Sequence, residues 1–444
     1  MTREELRKMA LEYHAATPNG KITVRPSKPC NTSEELSLAY TPGVAQPCLE
    51  IKADKNNVWK YTSRSNMVAV VSDGTAVLGL GNIGPEAGLP VMEGKSVLFK
   101  HFADIDSVPI CLGEVFNEEG RTDAKKLITA VKTLGPSFGG INLEDIASPA
   151  CFEVEQTLKK EMSIPVFHDD QHGTAIISLA AILNALKLVG KSIETARFVV
   201  NGAGAAGASC SRYYLAHGAK KENFIVCDID GVIYKGRPNL TKVQEEFATN
   251  SPCRTLKEAI VGADIFLGFS VANCLTGEMV KTMAKDPIIF AMANPEPEIY
   301  PNVAMEAGAY IVGTGRSDFP NQINNVLGFP GIFRGALDTR ASDINEEMKF
   351  AATMALAELA SAPISAEIRA QLEAAYPEAV GTDLFEGGTL RKDLVIPKPF
   401  DPRVVPYIAR KVAQAAMETG VAQIKIDDLD AYQQEVADRI QKNR

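Results

Sequence analysis

A short glycine-rich segment constrains the fold of this chain more than any other feature. The segment NGAGAAG at 201–207 follows an apolar run, Phe198 to Val200, and precedes an Ala- and Ser-rich stretch of helical character. Gly202 would permit a tight turn, Gly204 would let the backbone approach a bound group, and Gly207 would let helix and strand pack closely. The free N–H groups at the start of the helix would then face a pyrophosphate. The segment therefore predicts a dinucleotide-binding unit.

The residues that follow bear on which dinucleotide would bind. Asp228 lies 21 residues beyond Gly207 at the end of the next apolar run, where an acidic side chain can accept both ribose hydroxyl groups. Its charge would repel a 2′-phosphate, which favours NAD over NADP. Lys235 and Arg237 lie just downstream and have the charge to contact such a phosphate, so NADP remains the alternative. The cofactor-binding candidates in the segment are Gly202, Ala203, Gly204, Ala205, Ala206 and Gly207.

The pattern around this unit predicts a doubly wound α/β sheet. Short, almost continuous runs of Val, Ile and Phe recur along the chain and alternate with stretches of helical character. Such runs are typical of parallel strands covered on both faces, and their alternation with helices favours a doubly wound sheet. The strands expected after 198–200 are Phe224 to Cys227, Ile265 to Gly268, Ile288 to Met292 and Tyr310 to Val312.

Three parts are expected in the chain as a whole. We predict an N-terminal α/β domain for substrate and metal over 1–160, a Rossmann-type domain over 161–395, and C-terminal helices over 396–444 that pack back on the core. Within 66–80, two apolar runs are separated by Asp73-Gly74, which predicts a tight β-hairpin. The expected C-terminal helices are 403–419 and 428–441, the second with an N-terminal cap at Asp427 or Asp428.

Composition excludes several classes of partner. The chain has 46 Lys and Arg against 55 Asp and Glu, a formal net charge of −9, which argues against binding to nucleic acid or to a membrane surface. The sequence contains no apolar run of about 18 residues, the length that a membrane-spanning helix needs. Residues 1–11 do not resemble a signal peptide. The eight cysteines are scattered without a C-x-x-C pair, which is typical of a reducing compartment and favours a cytoplasmic location.

Two acidic pairs stand where predicted strands end. Glu144-Asp145 follows the apolar run 139–143, and Asp169-Asp170 follows 165–167. Carboxylate oxygens in such number suit Mg²⁺ or Mn²⁺ better than zinc, although a solvated acidic loop is an equally compatible alternative. His168 and His172 lie nearby, but we do not expect them to be metal ligands because no third nitrogen or sulfur ligand is in sight.

Lys95 and Tyr40 are candidate acid–base groups. Lys95 follows the glycine-containing segment 89–94 and precedes an apolar run. A lysine in a tight, desolvated site can have its pKa lowered toward neutrality and act as a base. Tyr40 lies in AYTPGV, a rigid turn that would hold a phenol in place. Taken alone, each residue is more often a surface or packing group.

Together, these segments resemble the malic enzyme family in its small bacterial form. The matching segments span 39–403 in the order and spacing of the family, and the longest of them, 70–95, ends at Lys95. They are AYTPGVA (39–45), VVSDGTAVLGLGNIGPEAGLPVMEGK (70–95), INLEDI (141–146), FHDDQHGTA (167–175), VVNGAGAAG (199–207), CDIDGVIYKGR (227–237), ANPEPEI (293–299), GRSDFPNQINNVLGFPG (315–331) and IPKPFDPR (396–403).

The resemblance implies a reaction and a set of roles. The reaction is oxidative decarboxylation of L-malate to pyruvate and CO₂ with reduction of NAD(P)⁺ and a requirement for Mg²⁺ or Mn²⁺; oxaloacetate decarboxylation is a compatible side activity. Lys95 would take the C2 hydroxyl proton, Tyr40 would protonate C3, and Asp169 would orient Lys95. The implied metal ligands are Glu144, Asp145 and Asp170, the substrate-binding residues Lys95, Asn294 and Asn325, and further cofactor-binding residues Thr174 and Ser270.

Some residues support or depart from this resemblance. Asn294 follows a predicted strand at the edge of the sheet where ligands bind, whereas Asn325 beside Asn324 is also compatible with a simple loop turn. Larger animal-type members carry an arginine in the segment that here reads Asp73-Gly74-Thr75-Ala76. The substrate carboxylate must therefore be held differently, and the allosteric activation of those relatives is not expected.

The resemblance also implies a homodimer, in which Tyr40 would reach the site of the neighbouring subunit.

Two alternative functions remain open at this point. One is a metal-independent Rossmann dehydrogenase of the amino-acid dehydrogenase type, which would not need Glu144, Asp145 and Asp170. The other is a nicotinamide-nucleotide sensor that keeps the fold without turnover.

Overall fold

The computed structural model describes residues 3–443, and its N-terminal part is built on a parallel sheet of four strands in the order β2-β1-β3-β4. Strand β1 is central, and its residues Val68 to Val71 are completely buried. Such burial on both faces explains why this run lacks the alternation of a half-exposed strand. The strands are β1 (Met67–Ser72), β2 (Asp106–Cys111), β3 (Gly140–Leu143) and β4 (Val166–His168).

The predicted hairpin over 66–80 is wrong. Only Met67–Ser72 is a strand, both of its neighbours are parallel to it, and Leu78–Leu80 is a 3₁₀ turn. Gly74 does adopt a positive φ of 70°, which a glycine tolerates. Its carbonyl oxygen accepts hydrogen bonds from the N–H groups of Ile83 and Gly84, so the turn leads into a helix rather than a second strand.

The second sheet has six strands in the order β10-β9-β8-β5-β6-β7. All neighbours are parallel except the short β7, which is antiparallel to β6. The predicted doubly wound α/β class is confirmed, and each of the five expected strands forms within one or two residues of its expected bounds. The strands are β5 (Phe198–Asn201), β6 (Phe224–Asp228), β7 (Gly231–Val232), β8 (Ile265–Gly268), β9 (Ile288–Ala291) and β10 (Ile311–Thr314).

Helices cover both sheets and form the C-terminal part. Within residues 3–443, no helix is both long and apolar enough to cross a membrane. The helices are α1 (Arg3–Ala15), α2 (Ser33–Ala39), α3 (Ala45–Ala53), α4 (Val58–Tyr61), α5 (Pro85–Ala103), α6 (Ala124–Leu134), α7 (Ala150–Glu161), α8 (Asp169–Leu188), α9 (Ala205–Ala216), α10 (Lys242–Glu245), α11 (Leu256–Ala259), α12 (Gly277–Val280), α13 (Pro301–Glu306), α14 (Phe329–Asp338), α15 (Glu346–Leu359), α16 (Ala366–Ala375), α17 (Val404–Glu418) and α18 (Leu429–Lys442).

The C-terminal helices pack back on the rest of the molecule. Helix α17 packs on α14 and α15, and α18 packs on α17 and α5. Asp428 caps α18 by accepting hydrogen bonds from the N–H groups of Asp430 and Ala431. It is one of the two residues, Asp427 and Asp428, that were predicted as the cap. Arg439 of α18 forms a 2.7 Å ion pair with Asp104, the residue that ends α5. The last helix therefore holds the end of α5, the helix that carries Lys95.

The N-terminal segment is packed very differently. No side chain between residues 4 and 67 is buried, although α1 to α4 lie in this range. Large apolar side chains of the segment are instead exposed, and they include Leu6, Met9, Leu11, Tyr13, Leu36, Leu38, Tyr40 and Leu49. The apolar surface of these helices is thus not covered within one copy of the chain.

Candidate active site

Three carboxylates converge where two neighbouring strands end. Glu144 and Asp145 follow β3, and Asp170 lies in the first turn of α8, directly after β4. Because β3 and β4 are adjacent and parallel, their carboxyl ends bring these side chains together. Each residue offers one oxygen, and the three oxygens lie within 4.8 Å of one another. The backbone N–H of Asp145 also donates a 2.7 Å hydrogen bond to Asp170 Oδ2.

This carboxylate cluster has the chemistry of a site for a hard divalent cation. Glu144 and Asp145 are buried, at 4% and 5% exposure. Burial raises the pKa of Glu144 well above its ordinary value; the Lys95 ammonium opposes this rise, and the negative charge of Asp170 adds to it. Buried like charges need a compensating cation, and ligands made only of oxygen fit Mg²⁺ or Mn²⁺.

Lys95 reaches this cluster from α5. Its amine lies 2.6 Å from Asp169 Oδ2 and 2.8 Å from Glu144 Oε1, and it sits 4.5 Å from the centre of the Phe329 ring. Burial favours the neutral amine, but the charges of Asp169 and Glu144 outweigh burial and raise the pKa of Lys95 above its ordinary value. The expected lowering of the Lys95 pKa is therefore wrong for the chain without a bound metal ion. The sequence did not reveal how many carboxylates surround the amine.

Asn325 and Thr174 lie beside the same cluster. The Thr174 hydroxyl donates a 2.9 Å hydrogen bond to Asn325 Oδ1, and Asn325 Nδ2 donates to the backbone carbonyl of Asp169 at 3.3 Å. A β-carbon on Gly173 would overlap the Asp169 carboxylate, so glycine leaves the room that this carboxylate needs. Asn325 is therefore joined to the residue that binds Lys95, as a substrate-binding role would require.

The glycine-rich turn has the geometry expected of a dinucleotide site. Gly202 follows β5 with a φ of 123°, and a β-carbon there would overlap the carbonyl of Phe269. A β-carbon on Gly207 would overlap the carbonyl of Gly202, so Gly207 permits close packing of α9 on the turn. Gly204 has open space around its α-carbon and immediately precedes α9, whose N-terminus begins with Ala205 and Ala206.

Ser270 and Asp228 lie at the same edge of this sheet. The Ser270 hydroxyl accepts a 2.7 Å hydrogen bond from Asn201 Nδ2. Asp228 ends β6, and its Oδ2 accepts hydrogen bonds from Arg237 and Gln244, both at 2.8 Å. The acidic group therefore lies at the end of the strand that follows the glycine-rich turn, as predicted, but Arg237 balances its charge.

Asn294 lies on the loop after β9, where the two domains meet. A β-carbon on Gly315 would lie 3.3 Å from Asn294 Nδ2, so this side chain packs on the loop after β10. From the other domain, a β-carbon on Gly79 would overlap the backbone carbonyl of Asn294. Asn294 therefore lies where the N-terminal domain and the Rossmann-type domain are in contact.

Tyr40 is not brought to the cluster within one chain. It directly follows α2, is 69% exposed, and among residues 3–443 its hydroxyl forms no hydrogen bond with Lys95 or with a cluster carboxylate. It lies instead on the exposed apolar surface of the N-terminal segment. One of the two candidate acid–base groups is thus inside the site, and the other is on the outer surface.

Some residues near the metal candidates were not indicated by the sequence. The carboxylate of Glu155 in α7 lies 2.8 Å from His172 Nε2 and accepts a hydrogen bond from the backbone N–H of His168. Lys349 of α15 lies 3.3 Å from His172 Nδ1, and burial lowers the pKa of His172. These contacts hold the junction of β4 and α8, which carries Asp169 and Asp170. Their partners are distant in sequence, so no local spacing could have revealed them.

A parallel sheet with a dinucleotide turn, in one chain with a lysine paired to a carboxylate cluster, is typical of a nicotinamide-nucleotide-dependent oxidoreductase. Two family models match the chain: "Malic enzyme, N-terminal domain" over residues 19–159 and "Malic enzyme, NAD binding domain" over residues 171–377. The chain belongs to the malic enzyme family, whose members oxidatively decarboxylate malate with NAD(P). The family and the fold class predicted from the sequence are both confirmed.

Individual relatives agree with this assignment. The chain is 53% identical over 442 residues to the bifunctional malic/malolactic enzyme of Bacillus subtilis, with 98% of each chain covered. It is 55% identical to the NADP-dependent malic enzyme of Salmonella typhimurium, covering 97% of this chain but only 54% of that one. The malic enzyme of Entamoeba histolytica has a similar structure, with a TM-score of 0.89, 37% identity, and coverage of 100% of this chain and 90% of that one.

The relatives divide on the nucleotide. Besides the NADP-dependent enzyme of Salmonella typhimurium, the chain is 49% identical over 432 residues to the NAD-dependent malic enzyme of Rhizobium meliloti, covering 96% of this chain and 54% of that one. The chain thus spans about half the length of several of these relatives. Use of NAD or NADP follows from the family, but the preference between them does not.

Proposed function

We propose that this chain converts L-malate to pyruvate and CO₂ with reduction of NAD(P)⁺, at the cleft between the carboxylate cluster and the glycine-rich turn. The observation that carries the proposal is the position of the Lys95 amine, 2.6 Å from Asp169 and 2.8 Å from Glu144. A base beside a metal-binding set is what oxidation of a hydroxyl group followed by decarboxylation requires.

Glu144, Asp145 and Asp170 would hold Mg²⁺ or Mn²⁺. Such an ion supplies Lewis-acid stabilisation of a developing substrate oxyanion and positive charge that lowers the pKa of a neighbouring ammonium group. Burial keeps bulk water from Glu144 and Asp145, which strengthens the charge interactions of these two carboxylates.

The side chains of the chain itself would handle the protons. Lys95, once neutral, takes the proton from the C2 hydroxyl as hydride leaves C2 for the nicotinamide, and Asp169 keeps the amine aimed at that hydroxyl. Asn294 and Asn325 orient the substrate from the Rossmann-type side by hydrogen bonds. Tyr40 then donates a proton to C3 after C4 leaves as CO₂.

We infer that the chain works as a homodimer in which Tyr40 completes the site of the partner copy. The support is the exposed apolar surface of the N-terminal segment, because patches of this kind mark interaction sites. A second copy is the partner that would supply the missing Tyr40 to the site.

We also propose a cytoplasmic location. The eight cysteines are all free thiols, which supports a reducing compartment.

We propose NAD as the preferred nucleotide. The support is Asp228, whose carboxylate stands at the end of β6 with a side-chain exposure of only 9% and would accept the ribose hydroxyl groups. Because Arg237 balances this charge, the preference should be modest, about five- to tenfold in kcat/KM. Steady-state rates with each nucleotide at saturating malate measure it directly.

One assay tests the proposed reaction. Absorbance at 340 nm should rise with L-malate and either nucleotide in the presence of Mn²⁺, and EDTA should abolish the rise. Activity that resists EDTA would favour a metal-independent dehydrogenase, and tight nucleotide binding without malate oxidation would favour a sensor. The side activity is tested by adding oxaloacetate and measuring the pyruvate that its decarboxylation forms.

A further inference from the structure

Another buried carboxylate, that of Glu298, lies outside the carboxylate cluster, in the loop between β9 and α13. Glu298 is completely buried, and no charged side chain among residues 3–443 contributes to its pKa. Burial raises this pKa, and backbone N–H groups work against the rise. An ionisable group without a charged partner is costly to bury, so the hydrogen bonds that it forms must account for its position.

Glu298 uses its two oxygens to join two different loops. Oε1 accepts a 2.8 Å hydrogen bond from the backbone N–H of Ser270, which follows β8. Oε2 accepts a 3.1 Å hydrogen bond from the backbone N–H of Ala293, which follows β9. Both loops lie at the carboxyl edge of the parallel sheet, where ligands of doubly wound folds bind.

The neighbouring backbone is shaped around this carboxylate. Strand β8 ends in Gly268, and a β-carbon there would overlap the Glu298 carboxylate. The backbone carbonyl of Glu298 also accepts a 3.1 Å hydrogen bond from the N–H of Leu275. Side chain and main chain of this residue therefore both bind the loop after β8, and any other residue at 268 would displace the side-chain contacts.

These contacts form a continuous connection between two candidate binding sites. Asn201, which precedes the glycine-rich turn, binds the Ser270 hydroxyl, and Ala293 directly precedes the substrate candidate Asn294. We propose that Glu298 is a positioning residue that couples nucleotide binding to substrate binding, by holding the loop of Ser270 and the loop of Asn294 in one arrangement. This inference rests on the proposed function, because it takes these two loops as the nucleotide and substrate sites.

The physical basis of the coupling is conformational order. A ligand that orders one loop also orders the other through the shared carboxylate, so the second ligand binds at a lower entropic cost. Such coupling is reciprocal, since each ligand must raise the affinity for the other by the same factor.

The coupling is tested by calorimetric titration of the chain with NAD⁺ and with NADP⁺, in the presence of Mn²⁺. Each titration is made with and without tartronate, a dicarboxylate that, like malate, carries a hydroxyl group. We expect tartronate to tighten nucleotide binding to the wild-type chain by about tenfold. In Glu298→Gln the affinity for nucleotide alone should stay within about twofold, while the enhancement by tartronate falls to about twofold or less. An amide keeps the shape of the side chain but can accept only one of the two N–H groups.

Glu296→Gln is the matched control. Glu296 lies in the same loop, but its carboxylate accepts a hydrogen bond from the Tyr300 hydroxyl at 2.9 Å and does not join the two loops. This variant should keep the full enhancement, so a loss in Glu298→Gln alone cannot come from removing charge from the loop. If Glu298→Gln does not fold, hydrogen exchange of the wild-type chain replaces it: tartronate alone should slow exchange of the Ser270 amide.

The outcomes separate the coupling from the reaction itself. Equal enhancement in wild type and Glu298→Gln, no enhancement in wild type, or unchanged exchange at Ser270 would each overturn the coupling. Malate oxidation by the wild-type chain is measured independently at 340 nm, so its absence would overturn the proposed function whatever the titrations show.

Discussion

The carboxylate cluster and the N-terminal segment differ in how far their side chains are buried. Around the cluster, Glu144 and Asp169 are buried, Lys95 is nearly so, and the amine lies 2.6 to 2.8 Å from the two carboxylates. In the N-terminal segment no side chain between residues 4 and 67 is buried, and Tyr40 is 69% exposed. Yet the proposed reaction draws one acid–base group from each region.

This difference indicates which part of the chemistry one copy can perform alone. The charge interactions of the cluster require burial, because only a water-poor site makes them strong, and a single chain provides that burial. The exposed apolar surface gains its burial only by contact with another surface. Proton removal by Lys95 should therefore depend on the fold of one chain, whereas protonation at C3 by Tyr40 should depend on assembly.

The largest effect is expected from Lys95→Ala. Loss of a general base should lower kcat for malate by about 10³-fold or more, while nucleotide affinity stays near that of the wild type because Lys95 does not contact the glycine-rich turn. Rates at 340 nm and nucleotide titration measure the two quantities. An undiminished rate would remove the assigned role of Lys95.

A metal ligand should have the next largest effect. Asp170→Asn should lower Mn²⁺ affinity by at least about 100-fold. At Mn²⁺ concentrations near 100 times the wild-type Kd, the wild-type chain should gain about 2.7 kcal/mol of stability, seen as a rise in Tm that the variant lacks. Glu161→Gln, which removes an exposed carboxylate of α7, is the control and should keep the rise. A rise of equal size in Asp170→Asn would contradict the proposed ligand set.

Mn²⁺ affinity should also depend on pH with a definite sign. Burial raises the pKa of Glu144 well above its ordinary value, and a carboxylate must be ionised to bind the ion. Binding is therefore strong above the raised pKa and is lost as pH falls through it, by about tenfold per pH unit for one proton. Titrations between pH 8 and about pH 5 test this, and constant affinity across that range would show that Glu144 is ionised throughout.

Mixing two inactive variants tests whether the N-terminal segment serves a second copy. Equal amounts of Tyr40→Phe and Lys95→Ala, unfolded and refolded together, should form about half mixed dimers with one intact site each. Activity should then recover to about a quarter of the wild-type rate. No recovery, with mixed dimers shown by mass spectrometry, would mean that Tyr40 acts within its own chain.

The smallest effect is expected at the nucleotide end of the site. Arg237→Ala removes the cation that lies 2.8 Å from Asp228, so the unbalanced carboxylate should repel a 2′-phosphate more strongly. The ratio of kcat/KM for NAD to that for NADP should rise by about threefold. A fall in this ratio would show that Arg237 promotes the use of NAD, and would contradict its assigned role of balancing the charge of Asp228.

Much of the site was predictable because its residues follow strands. Residues at the carboxyl ends of neighbouring parallel strands must lie close together, so Glu144 and Asp170 could be expected to meet. The hairpin at 66–80 was wrong because a completely buried central strand and a hairpin strand have similar short apolar runs. The raised pKa of Lys95 and the contacts of Glu155, Lys349 and Glu298 depend on tertiary neighbours, which no local pattern encodes.

The absence of a side chain at Gly79 has a consequence for how closely the two domains approach each other. Because this glycine has only hydrogen on its α-carbon, the backbone of the N-terminal domain can come up against the carbonyl of Asn294. The methyl group of an alanine at this position would overlap that carbonyl and force the two backbones apart. The closeness of the two domains at this point therefore depends on a residue that has no side chain.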